Sequence, residues 1–198
     1  TFGQNYDVSL LEGGTVTNAA TFLNTGTTQI GDATVDTTTF NGGLTATAGA
    51  VTAAGTIATS SDNLSLGAVT LASGQNLTLD TGNAGGGDVS VTSIAGVAGG
   101  TAENVTLESG SGTIGVSSTI GTDIGTLTLQ EDAAGATGAV TLSGGVMAAT
   151  LTTFGQGYAV SLLGGGTVTN AATFLNTGTT QIGDATVDTT TFNGGLTA

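Results

Sequence analysis

The first 46 residues of this chain return almost unchanged 152 residues later. Thr1–Ala46 matches Thr153–Ala198. Three positions differ between the copies: Asn5 to Gly157, Asp7 to Ala159 and Glu12 to Gly164. Such similarity at a fixed offset indicates tandem duplication of one folding unit. We therefore divide the chain into one full repeat unit, residues 1–152, and the start of the next unit, residues 153–198, continuous with the first.

Within the unit, apolar residues alternate with Thr or Ser in short stretches that Gly, Asn or Asp separate. The stretches are NLTLD (76–80), DVSVTS (88–93), NVTLES (104–109), GTLTLQE (125–131) and AVTLSGG (139–145). Alternation at a period of two residues predicts strands with one buried face. No apolar stripe has the 3.6-residue spacing of a helix. The sequence therefore predicts an all-β protein.

Two all-β architectures compete. An immunoglobulin-like sandwich needs about seven strands per 100 residues and usually a large core aromatic, but the chain has no Trp and no Pro. A parallel β-solenoid needs short strands, tight turns and small apolar residues that stack in a narrow core. With its 36 Gly residues and its many short strands, the chain favours a right-handed parallel β-solenoid (β-helix). Tandem units of this kind would form a rod.

Three Phe residues suggest the length of one coil. Phe2, Phe22 and Phe40 follow one another at nearly equal intervals. If each interval is one coil, these rings stack in the core, a coil has about 20 residues, and a unit rises about 35 Å through seven or eight coils. The predicted inward-facing residues are Phe2, Phe22, Phe40, Leu77, Leu79, Val89, Val91, Val105, Leu107, Leu127, Leu129, Val140 and Leu142.

The charged side chains are all acidic. The chain has 14 Asp and Glu and no Lys, Arg or His. Binding to nucleic acid depends on basic side chains that neutralise phosphates, so nucleic acid is excluded as a partner. No run of about twenty apolar residues predicts membrane insertion. The absence of His, Lys and Cys removes the common general bases and nucleophiles, so we predict no enzyme activity.

The carboxylates are nevertheless candidate calcium ligands. Asp32 and Asp36 return as Asp184 and Asp188. On a strand, residues four apart lie on one face about 13 Å apart, so a shared ion would need oxygens from a neighbouring coil to reach its six to eight ligands. We predict no cofactor other than calcium, for which Asp32, Asp36, Asp184 and Asp188 are the candidate ligands. The alternative is that these four are turn and surface residues that keep the rod soluble.

Three further patterns resemble functional motifs but match them less well than the four Asp residues match a calcium site. GNAGGGDVSV (82–91) matches the calcium-binding nonapeptide only in part and occurs once. Glu131 and Asp132 are consecutive, so on a strand they face opposite sides and form a poor acid/base pair. The Thr-x-Thr triplets at 15–17, 45–47 and 126–128 would form an ice-binding rank only if every coil carried them. Their irregular spacing predicts ordinary outward-facing Thr instead.

Several segments, among them GDATVDTTTFNGGLTATAG, LSLGAVTLASGQNLTLDTG and NVTLESGSGTIGVSSTIG, resemble repeats of very large bacterial surface proteins. The chain is similar in this respect to filamentous-haemagglutinin-like β-solenoid adhesins. The resemblance implies a structural, extracellular or cell-surface rod for adhesion or for a biofilm matrix. It implies self-association into filaments, end to end or laterally, and contact with surface or matrix polysaccharide.

Two other functions stay open. A calcium-dependent surface-layer or adhesin module would use the carboxylates to bridge chains. A polysaccharide-active β-helix enzyme would need two carboxylates about 5 to 10 Å apart in an open groove.

Overall fold

The computed structural model of the chain describes residues 1–83, 85–130 and 135–198. These residues form 24 β-strands and no helix. All pairings between the strands are parallel. The strands stack in three columns, which the chain visits in a fixed order, and three consecutive column positions make one coil. The parallel β-solenoid is thus confirmed.

The strands are short and their bounds are as follows. Column 1 contains β1 (Val8–Leu10), β4 (Thr28–Ile30), β7 (Val51–Ala53), the ends of β9 (Leu64–Leu71) and β11 (Val89–Ala95), β14 (Ile120–Gly121), β17 (Val146–Ala148), β20 (Gly166–Val168) and β23 (Thr190–Phe192). Column 2 contains β2 (Gly14–Val16), β5 (Thr37–Phe40), β8 (Gly55–Thr59), β10 (Leu77–Asp80), β12 (Glu103–Glu108), β15 (Ile124–Leu129), β18 (Thr150–Thr152), β21 (Ala172–Thr173) and β24 (Leu196–Thr197). Column 3 contains β3 (Ala20–Thr21), β6 (Leu44–Ala46), the starts of β9 and β11, β13 (Ile114–Val116), β16 (Val140–Leu142), β19 (Val160–Leu162) and β22 (Thr180–Ile182).

The coils differ in length more than the Phe spacing predicted. Val51 of one coil pairs with Val69 of the next coil, whereas Leu77 pairs with Val105. The coil that runs from Leu77 to Val105 is therefore longer than the coil that runs from Val51 to Val69. Apart from one register shift between Glu103 and Val105, the paired strands stay in register, so most of the excess residues lie in the connections. The predicted coil of about 20 residues is therefore close to the mean, but individual coils vary around it. The mean coil has roughly 23 residues, within the range of known solenoid repeats.

Alternation predicted the core well. All the predicted inward residues except Phe2 are buried, together with their neighbours in the ladder such as Ile57, Ile94 and Ile114. In strands such as β10 and β16 the apolar residues face inward and the intervening Thr is more exposed, so the period-two pattern assigned their faces. Thr28 and Thr38 are exceptions that are buried, and Met147 is an exposed apolar residue.

The prediction that Phe2 faces the core is wrong. Its side chain is 79% exposed, and its counterpart Phe154 is only half-buried, so an uncovered chain end does not explain its position. Tyr158 takes the core position instead and is fully buried. Its hydroxyl donates to Leu129 O at 3.1 Å and accepts from Phe154 N at 2.8 Å. In this segment Tyr158 therefore points into the core, and Phe154 stays only half-buried.

The rings of Phe22 and Phe40 contact each other, but they do not stack in one column as predicted. Phe22 follows a column 3 strand and Phe40 ends a column 2 strand, so they approach across the interior. Their centroids are 6.4 Å apart at an interplanar angle of 86°. Phe174 and Phe192 repeat this edge-to-face pair in the second copy, a geometry that aromatic rings prefer.

The second copy of the repeated sequence does not lie above the first. Val8 belongs to column 1, but its counterpart Val160 belongs to column 3. Between them lie strands β1 to β18, of which β9 and β11 each occupy two columns, so the unit fills twenty column positions. At three positions per coil, a unit is six and two-thirds coils. It rises about 32 Å and presents each feature again after a rotation of one-third of a turn.

Glycines allow the closest approach between coils. Gly87, Gly112 and Gly138 occupy equivalent places before three successive column 3 strands. A Cβ on Gly112 would lie 2.1 Å from Gly87 O, and one on Gly138 would lie 1.5 Å from Gly112 O. Only glycine fits such a row, because the obstructing atoms are backbone.

Substitution of this row should be costly. We expect Gly112→Ala to lower the free energy of unfolding by about 1–3 kcal/mol, as overpacking does. Gly115 is the matched control, because a Cβ there has nothing within 4 Å, and Gly115→Ala should be neutral or slightly stabilising. Chemical denaturation measures both. Equal effects would contradict the glycine row.

The two tyrosines offer a second matched pair. Tyr158→Phe leaves Leu129 O and Phe154 N without their buried partner, so we expect a loss of about 1–3 kcal/mol in the free energy of unfolding. Tyr6 is 37% exposed and only accepts from Phe2 N. Tyr6→Phe should therefore change stability by less than about 0.5 kcal/mol. Thermal or denaturant unfolding of both variants checks this.

Candidate functional site at the acidic turns

Asp32 and Asp36 lie in a turn between β4 and β5, not on a strand as the sequence analysis assumed. Asp36 Oδ2 accepts from Asp32 N and from Ala33 N, both at 2.9 Å. Asp36 N in turn donates to Ala33 O at 3.1 Å. The wide separation predicted for a strand is therefore wrong, because the carboxylate of Asp36 reaches back to the backbone of Asp32.

The turn folds over the following coil. Gly31 begins it with φ +72°, and a Cβ there would lie 2.2 Å from Ala54 O. Thr34 N and Thr34 Oγ1 donate to Gln75 Oε1 at 2.7 and 2.9 Å, so the turn reaches two coils onward. This reach is possible because one residue, Ala54, joins β7 to β8 in the coil between.

The second copy repeats the capped turn. Asp188 Oδ2 accepts from Asp184 N at 3.0 Å and from Ala185 N at 2.8 Å. The backbone N–H groups of Asp32 and Ala33 lower the pKa of Asp36 below its ordinary value of 3.8, and those of Asp184 and Ala185 lower the pKa of Asp188 in the same way. Hydrogen bonds to the charged form have this effect.

The arrangement has a structural use that does not need an ion. One oxygen of Asp36 is already an acceptor for two N–H groups, and calcium would need six to eight oxygens. Across the described ranges, no three Asp, Glu, His or Cys side chains gather as a metal would require. Calcium binding at Asp32, Asp36, Asp184 and Asp188 stays a prediction. Glu131 and Asp132, and Ala84 within GNAGGGDVSV, lie outside the described residues.

Other carboxylates also accept from backbone N–H groups, either in the same turn, as Asp80 does, or in a neighbouring coil. Asp7 accepts from Thr27 N, Asp80 from Gly82 N, Asp88 from Thr113 N and Asp123 from Gly99 N, at distances of 2.5–2.7 Å. In a chain without basic side chains, amide dipoles supply the positive partners.

Glu103 is the buried example that the sequence did not reveal. Its side chain is fully buried, and Oε1 accepts from Gly74 N at 2.8 Å while Oε2 accepts from Val97 N at 3.4 Å. No spacing rule pointed to it, because Gly74 and Val97 come from two separate connections. Its role is to hold those connections against the coil.

Asn side chains also accept hydrogen bonds from backbone N–H groups of the next coil, and a sequence motif could have predicted these Asn residues. Asn76 Oδ1 accepts from Asn104 N at 2.9 Å, and Asn104 Oδ1 accepts from Thr126 N at 2.8 Å. Asn63 Oδ1 accepts from Asp88 N at 2.9 Å. Each of these Asn residues comes just before an apolar-polar-apolar triplet, so the motif marks where a coil enters its strand.

The threonines of column 2 are more regular than their sequence spacing. One outward Thr of each coil pairs with that of the next over eight coils, and the set is Thr37, Thr56, Thr78, Thr106, Thr128, Thr152, Thr173 and Thr197. These Thr residues align although their sequence spacing is irregular, because the connections absorb the difference. The predicted Thr-x-Thr triplets do not form one rank, because Thr15 and Thr126 lie in column 2 and Thr45 lies in column 3. Thr128 is only 9% exposed, however, so the rank is not a continuous exposed surface. Its pairs stabilise the ladder.

Comparisons with known proteins add no relative. The chain matches no family model, no curated protein and no solved structure. The resemblance to filamentous-haemagglutinin-like adhesins therefore stays a prediction. Within the described ranges, no helix has the length and apolar character to cross a membrane.

The acidic turn predicts a specific pH dependence. Because the pKa of Asp36 is lower in the folded chain, its stabilising effect is present above the ordinary Asp pKa of 3.8 and is lost as pH falls through the folded value. Asp36→Asn should therefore lower the free energy of unfolding near neutral pH. The difference from the wild type should shrink as pH approaches and passes below 3.8.

Denaturant unfolding across this pH range measures the difference. Asp32→Asn is the control, because it removes the same charge from the same turn but leaves the accepting carboxylate. It should show no comparable loss at neutral pH. A loss for Asp36→Asn that does not change with pH would contradict the charged cap.

Proposed function

We propose that the chain is a structural repeat of an extracellular rod or filament and that it has no catalytic role. The observation that carries the proposal is the continuity of the ladder where the repeated sequence begins again. Strand β16 of the first unit pairs with β19 of the second in the register Val140 to Val160, and β18 pairs with β21. The number of units would set the length of such a rod.

The distribution of polar chemistry supports this proposal. Asp7, Asp36, Asp88, Glu103 and Asp123 each accept backbone hydrogen bonds at connections, and in the part of the chain that the structure describes no three carboxylates gather in one place. The sequence contains no Lys, Arg, His or Cys, so acid–base and nucleophilic chemistry would depend on carboxylates and hydroxyls alone.

The three differences between the copies also support a scaffold. Asn5 and Gly157, and Glu12 and Gly164, are exposed pairs. Asp7 accepts from Thr27 N, which Ala159 does not reproduce, yet the surrounding strands keep the same register in both copies. The duplicated sequence therefore tolerates change at its edges while its core pattern is retained, which suits a protein used for its length.

A cell-surface location, self-association and contact with matrix polysaccharide belong to the same proposal. Antibody labelling of intact cells of the source organism tests it, and we expect signal without permeabilisation, on fibres or on the cell surface. Signal that appears only after permeabilisation would contradict the extracellular role.

A calcium-dependent binding module is the alternative to the structural rod, and the response to calcium distinguishes the two. We expect equal concentrations of calcium and magnesium, at one ionic strength, to shift the unfolding temperature equally, because screening of 14 acidic side chains does not distinguish the two ions. A shift that only calcium causes, and that Asp32→Asn and Asp184→Asn remove together, would favour the calcium module.

A further inference from the structure

Two of the links between column 1 and column 2 consist of a single residue. Ala54 joins β7 to β8, and Ala149 joins β17 to β18. The other described links at this corner of the solenoid have two to seven residues. Each one-residue link therefore lies lower than its neighbours and leaves a notch in the corner.

The notch at Ala54 is filled by the chain itself. The turn of residues 31–36 lies over it, since a Cβ on Gly31 would be 2.2 Å from Ala54 O. Thr34 then donates to Gln75 on the far side of the notch. Ala54 is only 1% exposed as a result. A short stretch of polypeptide is therefore an occupant that fits a notch of this kind.

The notch at Ala149 is open. Ala149 is only half-buried, and a groove of about 480 Å³ lies over it, within the range of about 300 to 1,000 Å³ that ligand sites have. Ala102 lines one wall of this groove and Thr169 the other, and we call it the Ala149 groove. The links 72–76 and 193–195 lie beyond the two walls, so both walls are internal to the solenoid.

The floor of the Ala149 groove is apolar. Ile124 and Ala149 line it together with Met147, which is 48% exposed. The side chain of Met147 lies across Gly121, where a Cβ would be 2.5 Å from Met147 Cε. A methionine side chain is flexible and adapts to apolar groups of different shapes. The floor therefore suits an aliphatic side chain.

The rim of the groove contains two residues with an unusual backbone. Thr122 and Asp123 line the groove and have left-handed φ values of +59° and +54°, which a β-branched residue such as Thr rarely adopts. Gly96 N donates to Thr122 O at 2.8 Å and Glu103 N to Asp123 O at 3.0 Å, so the neighbouring coil holds both residues in place. Positions of this kind cluster at binding sites.

Asp123 gives the rim a negative charge with one oxygen left for a partner. Oδ2 accepts from Gly99 N at 2.5 Å, whereas Oδ1 accepts from none of the described residues. The sequence has no Lys, Arg or His, so neither this chain nor a second copy of it can supply a cationic side chain to Asp123. With 14 acidic side chains, the chain attracts cationic molecules from a distance.

We propose that the Ala149 groove binds an extended basic segment of a partner protein. An aliphatic side chain of the segment packs on Met147 and Ile124, and a neighbouring Lys or Arg binds Asp123 Oδ1. From the link 96–102 to the link 169–171 the groove spans three coil steps, about 14 Å, which is the length of about four extended residues. Such binding adds a partner to the rod and does not depend on how the rod assembles.

The test measures the binding of short peptides to the full 198-residue chain by changes in NMR chemical shifts, which locate the site and give the affinity. The probe is an acetylated and amidated Gly-rich hexapeptide that contains one Leu followed by one Lys. One control peptide has Glu in place of Lys, and the other has Gly in place of Leu. We expect the probe to bind tightest, by about two- to fivefold, and its affinity to fall as salt screens the charge pair.

Two pairs of variants separate the groove from the acidic surface in general. Asp123→Asn should weaken binding of the probe by about two- to fivefold, whereas Asp32→Asn removes an equal charge from an exposed turn and should have little effect. Ala149→Leu fills the groove and should weaken binding by about fivefold or more, whereas Ala48→Leu changes an exposed residue elsewhere and should not. If Ala149→Leu lowers the unfolding temperature, Ala102→Leu on the exposed wall makes the same test.

Three results would overturn the proposed binding. The first is equal affinity for the Lys and Glu peptides, and the second is an equal loss for Asp123→Asn and Asp32→Asn. The third is self-association of the chain that Ala149→Leu abolishes, because it would assign the groove to a second copy. Surface labelling of cells tests the rod separately, so the failure of one proposal is distinguishable from the failure of the other.

Discussion

The parallel hydrogen-bond ladder between successive coils is the constraint from which the rest of this structure follows. It fixes each strand in register with the strand one coil away, so that Leu77, Val105 and Leu127 lie one above the other although the stretches of chain between them differ in length. Every inward side chain must then fit its neighbours in the adjacent coils. Extra residues are accommodated mainly in the connections, with one bulge in the pairing of β12 with β15.

The ladder also explains how a chain with 14 acidic side chains and no basic ones forms a compact fold. At several connections that interrupt the ladder, carboxylate or amide oxygens replace carbonyls as the acceptors for backbone N–H groups. Asp36, Asp88 and the fully buried Glu103 all serve in this way. Acidic residues placed at turns satisfy backbone donors, and this stabilising effect is separate from any affinity for metal ions.

The duplication has a second consequence for shape. Because a unit is six and two-thirds coils, corresponding residues of consecutive units point in three directions, and only every third unit returns to the same column. The exposed turn that ends at Asp36 in column 2 therefore returns at Asp188 before a column 1 strand. An array would distribute its surface features evenly around the axis and would have no single binding face.

The sequence by itself determined the all-β class, the repeat unit and the inward set such as Leu79, Val91 and Leu142, because alternation acts locally and each strand shows its own faces. Only the tertiary structure decided the variation in coil length, the exposure of Phe2 and the contact of the Asp32–Asp36 turn with Gln75. Phe2 and Tyr6 are both aromatic, so the sequence does not show which of them faces inward. In the second copy the counterpart of Tyr6, Tyr158, faces inward, where its hydroxyl donates to Leu129 O of the preceding coil. The contact of the acidic turn with Gln75 depended on the short link at Ala54. The one-third rotation of the unit depended on the number of column positions that the whole unit fills. Such properties arise from contacts between coils, which no local pattern records.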